Sequence, residues 1–101
     1  MSKIVIIGAG AMGSAFSLPC LDNNHDINIV GTHLENDFID QIKSNENLHP
    51  GLKTKIPNEI KIFKFDKFDE LLKSNVDLIV FVNFYAILLL IEKIVYHFVL
   101  F

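Results

Sequence analysis

The run Gly8-Ala9-Gly10-Ala11-Met12-Gly13 spaces three glycines as GxGxxG. That spacing is suited to cradling a pyrophosphate. The first glycine permits a tight turn out of a strand. The second has no side chain, so the backbone can approach a phosphate. The third lets a helix pack closely on the strand. A helix opening within the run adds unsatisfied N–H groups and a partial positive charge for the phosphates. This chemistry needs a strand before the glycines, a helix after them and a second strand beyond. Residues 3–7 are apolar and β-branched, residues 11 to about 21 read as a helix, and 27–31 read as the second strand. The run is therefore taken as a dinucleotide site rather than a glycine-rich turn without a ligand.

The second half of such a fingerprint is an acid about 20 residues on, at the end of strand two, holding the ribose hydroxyls. That place holds Gly31, Thr32 and His33, and Glu35 comes later, past the expected ribose. Without a carboxylate at the strand end nothing repels a 2′-phosphate. With no Arg in the chain and no Lys nearby, nothing grips one either. Thr32 can donate to ribose or phosphate. His33 is either a weak cationic partner or an exposed loop histidine. NAD and NADP both stay open as cofactors.

Other chemistry-bearing residues have plainer readings. His25, His33, His49 and His97 lack metal-ligand spacing, so no metal is expected. Cys20 is expected on a buried helix face as inert packing. As the single cysteine it can form no internal disulfide, which fits a cytoplasmic protein. Asp66, Asp69 and Glu70 suit the positive first turn of a helix. Lys61, Lys64 and Lys67 alternate faces along a strand, so they form no phosphate patch. Nine Lys against twelve acids, net charge −3, argue against a nucleic-acid partner. No catalytic residue can be named.

The elements that position the glycine run follow from patterning. Half of the 101 residues are hydrophobic and 21% are charged, which excludes a disordered chain and bounds it to one domain. In the first helix Met12, Ala15, Phe16 and Cys20 share a face, and Pro19 predicts a kink or an early end. Asp22-Asn23-Asn24 closes that helix, Asn tolerating the left-handed conformation. Asn36 is the expected N-cap of a short helix with Phe38, Ile39 and Ile42 inward. Residues 45–59 read as a long loop, 60–65 as strand three, and Asp66 as the cap of a helix burying Phe68, Leu71 and Leu72. Residues 76–82 are strand four, and a helix is expected from Phe84 to about Ile94. Residues 78–91 are apolar save Asn83, short of the roughly 20 residues a membrane span needs, so no membrane partner is expected. The order βαβαβαβα predicts an α/β fold, a parallel sheet with helices on both faces and strand order 3-2-1-4.

The segment IVIIGAGAMGSAFSLPCLDNNHDINIVGTH resembles the N-terminal end of NAD(P)-dependent glycerol-3-phosphate dehydrogenases, most like the archaeal form. So does the run Asn47-Leu48-His49-Pro50-Gly51-Leu52, with Ile56-Pro57-Asn58-Glu59-Ile60 leading into a strand. That loop is more distinctive than the glycines, and the likeness extends from about Lys3 to Val82. It implies a Rossmann-type sheet and an oxidoreductase family acting on glycerol 3-phosphate. By resemblance Gly8, Gly10, Ala11, Met12 and Gly13 wrap the cofactor's pyrophosphate, and Thr32 lies at the adenosine ribose.

Departures set further expectations. Asn83-Phe84-Tyr85 stands where the family has a short turn beside the nicotinamide, and the family's next strand and helical substrate domain are not expected within these 101 residues. The division expected is a first part of a dinucleotide-binding domain over 1–82, with four strands, and a divergent apolar tail over 83–101. Such a chain would be truncated and inactive alone, and a separately encoded helical substrate domain would be its natural partner. Strand four is an apolar edge without guarding charges, so the chain is expected to self-associate; the alternative is that the terminal IVYHFVLF pairs with it as a makeshift fifth strand. The alternatives are a non-catalytic remnant and a fragment of a ketopantoate or hydroxyacid reductase, the latter disfavoured by the His49-Pro50 loop.

Overall fold

In the computed structural model, residues 1–82 are described. The expected helix from Phe84 and the makeshift fifth strand lie outside the described residues. Four parallel strands form the main sheet: β1 (Lys3–Ile7), β2 (Asp26–Val30), β5 (Lys61–Phe63) and β6 (Leu78–Phe81), in the spatial order β5-β2-β1-β6. This is the predicted 3-2-1-4 order of an α/β Rossmann-like sheet, since β5 and β6 are the third and fourth strands of the sequence reading. Ile4, Ile6, Ile27 and Ile29 pack on one face, with Val5, Ile7, Val30 and Phe68 on the other. Both faces of β1 and β2 are buried, as strands enclosed in a parallel sheet require.

Helix α1 (Ala11–Asp22) joins β1 to β2. The expected inward face is corrected. Gly13, Ser14 and Ser17 are buried, whereas Met12, Ala15 and Phe16 are exposed. Close approach of the helix to the sheet demands small residues in its first turns, and Leu18 and Leu21 pack on the core further along. Cys20 is half-buried against the core, and burial pushes its thiol above its ordinary value. The helix also runs through Pro19 to Asp22 instead of ending early. Ala15 and Pro19 are both exposed, so water can replace the N–H that proline withholds. Asn24 adopts φ 63°, the left-handed residue anticipated after the helix.

A 3-10 turn (His33–Glu35) leads into α2 (Asn36–Ser44), which buries Ile39 and Ile42. Asn36 is not the cap. It lies in the helix, and its side-chain oxygen accepts from the Phe65 N–H at 3.1 Å. The expected long loop over 45–59 is instead built on an antiparallel hairpin, β3 (Leu48–His49) with β4 (Thr54–Lys55). It is anchored by buried His49 and Ile56. A second 3-10 turn (Phe65–Lys67) precedes α3 (Phe68–Lys73), so Asp66 is within the turn rather than capping the helix. Phe68 and Leu71 are buried as expected. Among the described residues no helix is long and apolar enough to cross a membrane.

Candidate dinucleotide site

The glycine run leaves β1 at its carboxyl end. Gly8 takes φ 117°, open to glycine and strained for other residues. Its N–H donates to the Val30 carbonyl at 2.8 Å, drawing the ends of β1 and β2 together. Gly13 is the close approach: a Cβ built there would stand 2.6 Å from the Gly8 carbonyl oxygen and 3.1 Å from a Val82 methyl. Gly10 is the opposite case. Its φ of −66° suits any residue, and a Cβ there would meet nothing within 4 Å. The space over Gly10 is open because the fold leaves it open.

The first helical hydrogen bond of α1 runs from the Ser14 N–H to the Gly10 carbonyl at 3.0 Å. The N–H groups of Ala11, Met12 and Gly13 therefore precede the helical ladder and face its positive end. Gly10, Ala11 and Met12 are exposed, whereas Gly8, Ala9 and Gly13 are buried. Thr32 is buried at the start of the 3-10 turn, and His33 is exposed, with its ring edge-on to Phe65 at 5.6 Å.

The structure adds two residues that the sequence reading did not place at the loop. Glu35 folds back towards the strand ends. Its carboxylate accepts from the Thr32 N–H at 2.8 Å and from the Ala9 N–H at 3.2 and 3.3 Å. The acid placed beyond the site thus touches the glycine run itself. The spacing Thr32-x-x-Glu35 carries the signal, because a Glu three residues after a Thr cap characteristically reaches back to the cap's N–H.

His49 is the second. Its Nδ1 accepts from the Gly51 and Leu52 N–H groups at 3.0 and 3.1 Å, so the ring proton sits on Nε2. Nε2–H donates to the Ala9 carbonyl at 3.0 Å, and the Ser14 hydroxyl donates to the same oxygen at 3.2 Å. Phe38 packs edge-on against the imidazole with centroids 5.2 Å apart. The Ala9 peptide groups are thus held on the N–H side by Glu35 and on the carbonyl side by His49 and Ser14. Two residues remote in sequence, Glu35 and His49, converge with Ser14 of the following helix on one residue of the loop. Lys61, Lys64 and Lys67 are engaged elsewhere, with Asp26, Asp40 and Glu70 at 3.4, 3.2 and 3.5 Å. Among the described residues no group of His, Cys, Asp and Glu is placed to hold a metal ion.

A parallel α/β sheet carrying a complete GxGxxG at the carboxyl end of its central strand defines a Rossmann-like unit of the dinucleotide-binding type. Its sequence is similar to those of glycerol-3-phosphate dehydrogenases, as the segments beginning at Ile4 and Asn47 suggested. It is 35% identical over 71 residues to the NADP(+)-dependent glycerol-3-phosphate dehydrogenase of Archaeoglobus fulgidus, covering 70% of this chain and 21% of that protein. It is 37% identical over 62 residues to the glycerol-3-phosphate dehydrogenase [NAD(P)+] of Shouchella clausii, covering 60% of this chain and 18% of that protein. The corresponding Bacillus pumilus enzyme is 39% identical over 62 residues, covering 60% and 17%. The matched stretches amount to about a fifth of the length of these curated relatives. No protein-family model matches the chain.

Proposed function

We propose that the chain is the dinucleotide-binding part of a cytoplasmic glycerol-3-phosphate dehydrogenase. That enzyme interconverts sn-glycerol 3-phosphate and NAD(P)+ with glycerone phosphate and NAD(P)H. In this reading Gly8, Gly10, Ala11, Met12 and Gly13 wrap the pyrophosphate, and Thr32 lies at the adenosine ribose. The observation that carries it is the open space over Gly10, beside the N-terminus of α1 and above the joined ends of β1 and β2. The relatives' names support NAD or NADP as the cofactor and leave the choice between them open.

Residues 1–82 are the first part of the cofactor domain in this proposal, and 83–101 diverge from it. Hydride transfer needs the substrate held against the nicotinamide in near-attack geometry. A helical substrate domain, in this polypeptide or a separate one, would supply that, so the 101-residue chain turns over no substrate. Calorimetric titration with NAD and NADP tests the site. Gly10→Val should leave the fold intact, since the backbone angle is ordinary and a Cβ there meets nothing within 4 Å. It should weaken dinucleotide binding about tenfold or more, because the side chain fills the phosphate's place. Undiminished binding by that variant overturns the assigned site. Oxidation of glycerol 3-phosphate by the purified chain overturns the inactivity.

A further inference from the structure

We propose that Glu35 reads the 2′ position of the adenosine ribose, accepting the 2′-hydroxyl of NAD(H) and turning away the 2′-phosphate of NADP(H). The inference rests on the dinucleotide reading above and adds to it a residue and a preference. An acid with this task ordinarily ends strand two. Here that position is Val30, and the following Gly31 has no side chain to offer: a Cβ on it would stand 2.2 Å from Ile39 Cδ1. The 3-10 turn at His33–Glu35 brings a carboxylate back to the same corner from residues further along the chain.

Two distances fix that corner. The Gly8 N–H meets the Val30 carbonyl at 2.8 Å, so the ends of β1 and β2 touch. The Glu35 carboxylate bridges the second residue past each end, through the N–H groups of Ala9 and Thr32. A carboxylate offers about four acceptor positions. Thr32 takes one on Oε1, and the Ala9 N–H is shared between both oxygens, so Oε2 retains capacity for a ribose hydroxyl. A 2′-phosphate has the opposite fit: it brings up to two further negative charges to a carboxylate already in place. It would also compete with that carboxylate for the same two N–H donors. Lys64 and Lys67, the lysines nearest in sequence to the Phe65 turn that packs on His33, are paired with Asp40 and Glu70.

The test titrates the full chain with NAD and NADP, and with adenosine 5′-monophosphate and adenosine 2′,5′-bisphosphate as probes of the ribose half alone. The wild-type chain should bind NAD at least tenfold more tightly than NADP, with the same order for the two probes. Glu35→Gln keeps an acceptor oxygen and removes the charge, so the preference should fall at least fivefold while the unfolding midpoint moves little. A lost cap or a merely structural role would weaken all four ligands together and leave the ratio unchanged. Equal or tighter binding of NADP by the wild type overturns the proposal without any variant, as does an unchanged ratio in Glu35→Gln. If none of the four ligands binds, the dinucleotide reading itself falls, and this inference with it.

Discussion

The two edges of the described sheet are built differently. β5 is short and charged: Lys61 is exposed and reaches Asp26 on the neighbouring strand, and Lys64 follows, paired with Asp40. The flank behind it is closed by a cluster joining Ile29 of β2, Ile39 and Ile42 of α2, Ile56 and Ile60 of the loop before β5, and Ile62 of β5. β6 reads LIVF, without a charge, and pairs among the described residues with β1 alone. Leu78 on it is 49% exposed, and Phe16 on the adjacent helix 42%. Natural sheet edges are guarded by charge, shortness or cover. Both edge strands are short, but only the β5 edge carries charge along it. The glycine run leans on the guarded flank through Glu35 and His49, and touches the other through the Gly13–Val82 contact.

The largest consequence expected is association. At micromolar concentration the purified chain should sediment as oligomers, held by apolar surface around β6. Ile79→Lys, placing a charge in the middle of that strand, should shift it towards monomer. A wild-type chain that sediments as a soluble monomer and melts cooperatively would break the comparison and point to cover on β6.

Next in size is Gly13→Val. The added Cβ would press on the Gly8 carbonyl at 2.6 Å, a backbone atom with little room to yield, with the Val82 methyls at 3.1 and 3.2 Å beside it. Overpacking of this kind typically costs about 1–3 kcal/mol, occasionally more, and this position belongs at the upper end. Urea unfolding should show the loss. The contrast with Gly10→Val, with little change in stability, separates the two glycines by the work each does.

The order of the sheet was legible because it is written locally. Each strand is a short β-branched run, each helix lies between two of them, and right-handed crossovers leave few arrangements. The roles of Gly8 and Gly13 were legible for the same reason, since the backbone geometry they serve is set within six residues. The face of α1 was not. Met12, Phe16 and Cys20 are apolar residues at helical spacing, yet Ser14 and Ser17 are the fully buried ones, because the closeness imposed by Gly13 admits only small side chains in the first turns, and Leu18 and Leu21 pack on the core further along. The hairpin at 48–55 was hidden by its turn-rich composition. Besides buried Ile56, its anchor is a buried imidazole bonded to a carbonyl 40 residues away, which no local pattern encodes. Glu35 lay between these cases: its cap spacing was readable, and its contact with Ala9 was not.

The comparison sharpens with a matched pair of truncations. Ile29→Ala empties a fully buried position on the closed flank and should cost roughly 2–5 kcal/mol. Leu78→Ala removes a side chain already half in water and should cost less than about 1.5 kcal/mol. Similar losses at the two sites, measured by urea unfolding, would mean that β6 is as well covered as β2.

The smallest effect lies at the guarded edge. Lys61 Nζ stands 3.4 Å from Asp26 Oδ1, with the lysine side chain 58% exposed. A pair so open to solvent is screened by water and salt, and holding a long lysine in place costs rotamer entropy, so such pairs contribute about 0–1 kcal/mol. Asp26 also keeps a second partner, since the Asn28 side-chain amide donates to the same oxygen at 3.4 Å. Lys61→Ala should therefore change unfolding stability by less than about 0.5 kcal/mol, and less again at 1 M salt, where the screening length falls to about 3 Å. Its influence on association should be larger than its influence on folding. Made in the Ile79→Lys background, where the β6 edge is already charged, Lys61→Ala should restore part of the oligomer in sedimentation. If it costs stability yet leaves association untouched, the charge at β5 holds the fold together and does not guard an edge.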